Sequence, residues 1–289
     1  MKKTIISSIA LLAIVACGGP KTKVAESQDK VVPAHDNVPE YTIVNAPQVD
    51  LANFEKDADD YYVIFNGKDL KGWRGYGKTE VPANWVVEDG AIKFLGKGGG
   101  EAQRSGGGDL IFTHKFQNFI LELEWKVEKR SNSGIFYLAQ EVTTKKEDGT
   151  VKWEHIYLSA PEYQVLDNAN HPDALLGVDG NRQSASLYDM IPAKPQNFKG
   201  FGEWNTARIL VYQGTVVHGQ NGENVLEYHL WTPEWTEMLQ NSKFSQTKWP
   251  IAFDLLNNCG GEDHSGYIGL QDHGDVVWYR NIRVKLLDD

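Results

Sequence analysis

Cysteine is almost absent from this sequence: Cys17 and Cys259 are the only two in 289 residues. Basic residues are in deficit, with 29 Lys and Arg against 39 Asp and Glu and a net charge of −10. A nucleic-acid partner is therefore not expected, because phosphate binding requires a basic patch. Long apolar runs are missing. The run Ile5–Ala16 falls short of the roughly 20 residues that a membrane-spanning helix needs. There is no HExxH and no pair of CxxC motifs, so a metal site would have to be assembled from separate elements. No internal repeat or Pro/Gly linker interrupts residues 60–289.

What is present begins with compartment. Lys2 and Lys3 precede the apolar run, which has the layout of a signal peptide. Ile14-Val15-Ala16-Cys17 resembles a bacterial lipobox, in which the cysteine is acylated and becomes the mature N-terminus. An ordinary secretory signal with a chance cysteine is the alternative. A lipidated Cys17 cannot bridge to Cys259, so the fold must stand without disulfides and Cys259 is expected as an unpaired, buried or half-buried thiol. The expected division is a signal peptide over 1–16, a flexible tether over 17–58 with a short helix near Asp50–Asp59, and a folded domain over 59–289. Such a protein would be lipid-anchored in the bacterial cell envelope, on a membrane surface facing the periplasm or the exterior. Oligomeric state is left open.

Glycine (28 residues) and aromatics (11%) favour a β protein with many turns. Phe119–Val127 alternates cleanly: Phe119, Leu121, Leu123, Trp125 and Val127 on one face, Glu122, Glu124 and Lys126 on the other. Asp89-Gly90, Gln213-Gly214 and Asn221-Gly222 read as hairpin turns between strands, and two strands flank His273-Gly274. Only Trp235–Ser245 reads as helical. Short strands at this spacing predict an all-β chain with a single jelly-roll β-sandwich.

The segment PEYQVLDNANHPDA, 161–174, carries Glu162, Asp167, His171 and Asp173 among aromatic and apolar residues. On a strand, Glu162, Gln164 and Leu166 share one face and Tyr163, Val165 and Asp167 the other. Glu162 and Gln164 can then point together into a concave face while Tyr163 and Val165 pack.

Seven motifs follow in order: IFNGKDLKGW (64–73), LEWK…SNSGIFY (123–137), PEYQVLDNANHPDA, LYDMIP (187–192), GEWNTARI (202–209), HGQNG (218–222) and GYIGLQDHGDVVWYRNIRV (266–284). Together they resemble the bacterial 3-keto-disaccharide hydrolase family over nearly all of residues 60–289. The resemblance implies a concanavalin-like jelly roll and activity on glycosides already oxidised to a ketone at C3, with some members similar to lyases or hydratases. Gln220 stands where the family commonly has an apolar residue, and Asn257–Gly266 is individual to this chain.

A C3 ketone acidifies the C2–H. Removing that proton gives an enolate that expels the C1 substituent, and water can then add. The chemistry requires a base, a cation or donors for the enolate oxygen, and an acid at the leaving group; no organic cofactor is needed, and a divalent ion of the calcium or zinc class could serve as electrophile. Glu162, His171, His273 and Glu124 are the candidate catalytic residues. Gln164, Asp167, Gln271, His218, Asn221, Asp189, Arg280 and Trp204 are the candidates for binding an oxidised sugar or glycoside, with Trp73 as a further wall. Plainer readings stand beside these: Glu162 as a solvated strand residue, His171 as a loop cap, Glu124 as the solvent side of an outer strand, His218 as packed, Asn221 as a hairpin residue, Arg280 as a carboxylate anchor, the tryptophans as core. Two competing functions stay open. One is a two-carboxylate glycoside hydrolase using Glu124 and Glu162. The other is a non-catalytic carbohydrate-binding lipoprotein.

Overall fold

A computed structural model of the chain describes residues 28–96 and 107–288. In chain order its strands are β1 (Lys30–Val32), β2 (Tyr41–Val44), β3 (Tyr62–Val63), β4 (Trp73–Gly75), β5 (Trp85–Glu88), β6 (Ala91–Phe94), β7 (Leu110–Phe116), β8 (Phe119–Val127), β9 (Asn132–Ala139), β10 (Glu141–Lys145), β11 (Val151–Trp153), β12 (Glu162–Leu166), β13 (Asn205–Tyr212), β14 (Thr215–Gln220), β15 (Glu223–His229), β16 (Gly266–Leu270) and β17 (Val277–Leu286). The α-helices among the described residues are α1 (Pro233–Gln240) and α2 (Pro250–Asn257). Neither is long and apolar enough to cross a membrane.

The strands build the jelly-roll sandwich. A large sheet runs β15-β14-β13-β8-β17-β6-β5, with β3 on β17, and a smaller one runs β12-β9-β16-β7-β4. β8 alternates as its sequence requires, burying Phe119, Leu121, Leu123, Trp125 and Val127 between the sheets. β9, β12 and β16 differ, because every residue in them is buried. One face of the small sheet packs on the large sheet. Part of its other face is covered by a second apolar cluster that includes Ile111, Phe136, Ile156 and Tyr267. The rest of that outer face is polar.

The hairpin residues predicted from sequence turn as expected. Asp89-Gly90 joins β5 to β6, Gln213-Gly214 joins β13 to β14 and Asn221-Gly222 joins β14 to β15, with positive φ at all six positions. The link at His273-Gly274 instead crosses from the small sheet (β16) to the large one (β17).

Residues 1–27 lie outside the described residues, and with them the expected signal peptide and the lipidation of Cys17. The expected tether over 17–58 does not hold for its described part. β1 and β2 join β10 and β11 in a third, four-stranded sheet, and Val38, Tyr41 and Leu51 are buried. Tyr41 donates to Asp254 Oδ2 at 2.8 Å, which pins this segment to α2. The helix expected near Asp50–Asp59 is a single 3-10 turn at Leu51–Asn53, capped by Asp50. The helix expected over Trp235–Ser245 begins earlier and ends sooner, with Thr232 as its cap and Pro233 in its first turn. Reading one helix missed α2, which buries Ile251, Ala252, Leu255 and Leu256.

Candidate active site

The polar part of the small sheet's outer face and the loops over it gather six of the residues singled out from sequence. Tyr163 points inward, where its hydroxyl donates to Gly219 O of β14 at 3.2 Å. Glu162 and Gln164 flank it on β12 and so face outward together, as the alternation predicts. On the neighbouring strand β9, Ser133 points inward to Tyr279 Oη at 2.8 Å, so Asn132 and Gly134 face outward. β12 pairs with β9 in a register that sets Gln164 opposite Gly134 and Glu162 opposite Phe136. On the far side of β9, Gln271 donates its N–H to Gly134 O at 2.9 Å. The Glu162 carboxyl lies over Gly134: a Cβ there would meet Glu162 Cδ at 2.8 Å and collide with Oε1. Glycine at 134 is what gives this carboxyl its place.

Loops supply the wall above Glu162. Lys243 Nζ lies 4.2 Å from the centre of the Tyr188 ring, among neighbours that include the Glu162 charge. Asp189 holds this lysine in place. Its Oδ2 accepts from Lys243 N at 3.0 Å and its Oδ1 from Arg182 Nε at 2.7 Å. Arg182 Nη1 reaches on to Asp173 Oδ1 at 2.9 Å.

Two histidines close the other end. His171 caps the 3-10 turn Pro172–Leu175, its Nδ1 accepting from Asp173 N. His273 lies with its ring 6.3 Å from that of His171, centre to centre. Asn132 Nδ2 contacts His273 Nε2 at 3.3 Å.

Burial drives the ionisation of this cluster. It raises Glu162 from 4.5 to about 8, against the opposing pull of the Lys243 charge, and Asp109 and Asp173 add to the rise. Burial lowers Lys243, opposed by Glu162 and Asp189. Burial likewise lowers His171, while Asp275 raises it. A buried carboxyl poised near neutrality beside a half-buried lysine has the character of a general base with an electrophilic partner.

The remaining candidates lie elsewhere. Glu124 is on the outer face of the large sheet, where Arg280 Nε and Nη2 donate to it at 2.8 and 2.7 Å. Arg280 in turn stacks 3.9 Å over the Trp204 ring. These three meet, but not at Glu162. A groove of about 720 Å3 beside them is lined by Glu122, Glu124, Arg208 and Arg283. Glu122 and Glu124 are ion-paired with arginines there, which accounts for these two structurally. His218 is sealed between the sheets by Tyr137 Oη at 2.7 Å and Ala185 O at 2.9 Å, and burial lowers it to about 4. It is packed in the core, away from solvent. Asp167 is fully buried and organises its own turn, accepting from Arg130 N and Ala169 N. Asn221 is the hairpin residue, donating to Asn197 O and Asn205 Oδ1. Gln220, the family departure, is buried with its Nε2 on Gln196 and Asn197, away from Glu162. Trp73 is core, donating to Ile64 O at 2.7 Å. Cys259 is a free buried thiol.

Sequence reading missed Lys243, Tyr188, Arg182 and Asn132. Arg182 had a signal, a cation eight residues beyond the polar segment 161–174. Lys243 had none, because it lies in an irregular stretch far from Glu162 in sequence. Among the described residues, no group of three or more His, Cys, Asp or Glu is arranged to hold a metal ion.

Residues 60–285 match the family model described as a 3-keto-alpha-glucoside-1,2-lyase-like domain. The chain belongs to that family. A protein of Bacteroides thetaiotaomicron named 3-keto-disaccharide hydrolase is 63% identical, and the match covers 100% of both chains. Among solved structures, a Parabacteroides distasonis protein provisionally named a glycosyl hydrolase matches this family member with a TM-score of 0.62 and 26% identity, over 80% of this chain and 95% of its own. A second from the same organism, provisionally named likewise, matches with a TM-score of 0.51 and 27% identity, over 79% and 84%.

Proposed function

We propose that this protein is a carbohydrate hydrolase that cleaves glycosides carrying a ketone at C3, by elimination followed by hydration. The observation that carries the reading is the buried Glu162 carboxyl beside Lys243 on an otherwise polar floor. The family and the name of the Bacteroides relative support the substrate class. In this reading Glu162 takes the C2 proton. The C–H electrons move into the C2–C3 bond as the C3 oxygen gains charge, and Lys243 faces that oxygen. The enolate returns its electrons and expels the C1 oxygen, which takes a proton from the His171–His273 end. Water then adds at C1 as C2 regains a proton, so that the sum is hydrolysis of the C1 bond.

A divalent ion of the calcium or zinc class, like anchoring in the cell envelope through a lipid on Cys17, belongs to this proposal as an expectation to be tested. The decisive assay pairs a chromogenic glucoside with its 3-keto form, each with and without chelator. Release from the keto form alone is expected. Release from the plain glucoside would overturn the reading, and loss on chelation would add a metal to it.

A further inference from the structure

We infer that the side-chain carbonyls of Asn132 and Gln271 form a clamp that accepts hydroxyl protons from the ketone-bearing sugar ring, set between Glu162 and the histidine pair. The inference rests on the reading of Glu162 as the base. Asn132 and Gln271 are 3% and 7% exposed, yet Asn132 Oδ1 and Gln271 Oε1 have no hydrogen-bond partner. A buried acceptor left unmade is costly, and such atoms in a site call for a donor from outside.

The sheet fixes where both atoms face. Ile135 and Leu270 pair across β9 and β16, and both belong to the core between the sheets. Gln271, the next residue, therefore turns to the outer face. Asn132 is two residues along β9 from Gly134 on that same face, a step of roughly 7 Å. Glu162 and Gln271 thus flank Gly134 from opposite sides, with Asn132 one step towards His273. The main chain of Gln271 is fixed at this point: its backbone N–H donates to Gly134 O at 2.9 Å and its backbone carbonyl accepts from Ser133 Oγ at 2.7 Å. The contact of Asn132 Nδ2 with His273 occupies its amino side and leaves Oδ1 as the available end.

The chemistry of the ligand follows. Two carbonyl acceptors repel phosphate and carboxylate groups and accept from O–H, so they fit a neutral polyhydroxylated ring. The hydroxyls they would take are those of the ring that are not engaged in the reaction at C1, C2 and C3. A ring held there would present C2 to Glu162 and direct C1 towards His171 and His273.

The test uses the full chain, the 3-keto-glucoside, and its 4-deoxy and 6-deoxy analogues. In the unmodified protein at least one analogue is expected to lose about 10- to 100-fold in kcat/KM, because removing the donor leaves a buried acceptor unpaired. In Gln271→Leu or Asn132→Ser that discrimination should collapse towards one, with KM rising more than kcat falls. Folded variants that keep both the original KM and the full discrimination would overturn the clamp. So would an unmodified protein that treats both analogues like the parent, a result that stands even if the variants do not fold. Glu162→Gln separates the two ideas. An active Glu162→Gln sinks the underlying reading, whereas an inactive one alongside undisturbed Gln271 and Asn132 variants sinks the clamp alone.

Discussion

Glu162 and Glu124 sit on opposite outer faces of the sandwich. Each is one residue from a ring buried between the sheets, Tyr163 and Trp125, and so points away from the interior. Packed sheets are about 10 Å apart. The two carboxyls are therefore further apart than the upper limit of about 9.5 Å for an inverting pair. The two-carboxylate hydrolase built on them is ruled out by topology. Glu162→Gln is expected to lower kcat on the 3-keto substrate by about 10²- to 10⁴-fold. Glu124→Gln is expected to change it by no more than about twofold, as for surface changes remote from a site. Steady-state kinetics on the two variants checks both.

Acidity should show twice, in opposite directions. A base must be deprotonated, so kcat/KM should rise with pH through about 8, the value to which burial raises Glu162. Stability should move the other way. The folded state holds this proton more tightly than the unfolded chain, so the stability Glu162 contributes is complete below the ordinary carboxylate range and is lost as pH climbs towards about 8. Thermal melts should find Glu162→Gln close to the unmodified protein in acid and more stable on the alkaline side. Lys243→Met should push the activity limb to higher pH, because the lysine charge is what opposes the rise.

Gly134→Ala tests the floor. The added methyl has no room while the Glu162 carboxyl lies over it. The carboxyl must shift, and kcat is expected to fall by about tenfold or more, since displacement of a reacting group by about 1 Å is costly. Retention of full activity, with the fold confirmed by circular dichroism, would show that Glu162 does not work from this position.

Glu141 bears on stability alone. It is 1% exposed on β10 and takes Arg74 Nη1 and Nη2 at 2.6 and 2.7 Å, plus Gly77 N at 2.7 Å. Removing one member strands the other charge in the interior. Glu141→Ala is therefore expected to cost about 3–5 kcal/mol, read from denaturant melts.

The parts of this protein legible in its sequence were those governed by a strict local period. β8 declared both of its faces, and the outward direction of Glu162 and Gln164 followed from alternation alone. The same alternation places His218 on a face with Val216, whose inward side is the core; a polar residue in that register invites misreading as a site. α2 had Pro250 and paired apolar residues one turn apart, a helical pattern too brief to stand out. The segment around Tyr41 looked like tether because its few apolar residues acquire meaning only from Asp254, far along the chain. Lys243 illustrates the same limit at the site. Its proximity to Glu162 is a product of loop packing, to which no spacing rule applies.

The docking of β1 beside β2 fixes how far this molecule could roam. A lipid on Cys17 would moor the sandwich through residues 17–29 alone, at most about 45 Å of extended chain. Had all of 17–58 been loose, the reach would have been roughly 140 Å. A protein so moored would meet its substrates close to a bilayer, and would sweep little of the space beyond.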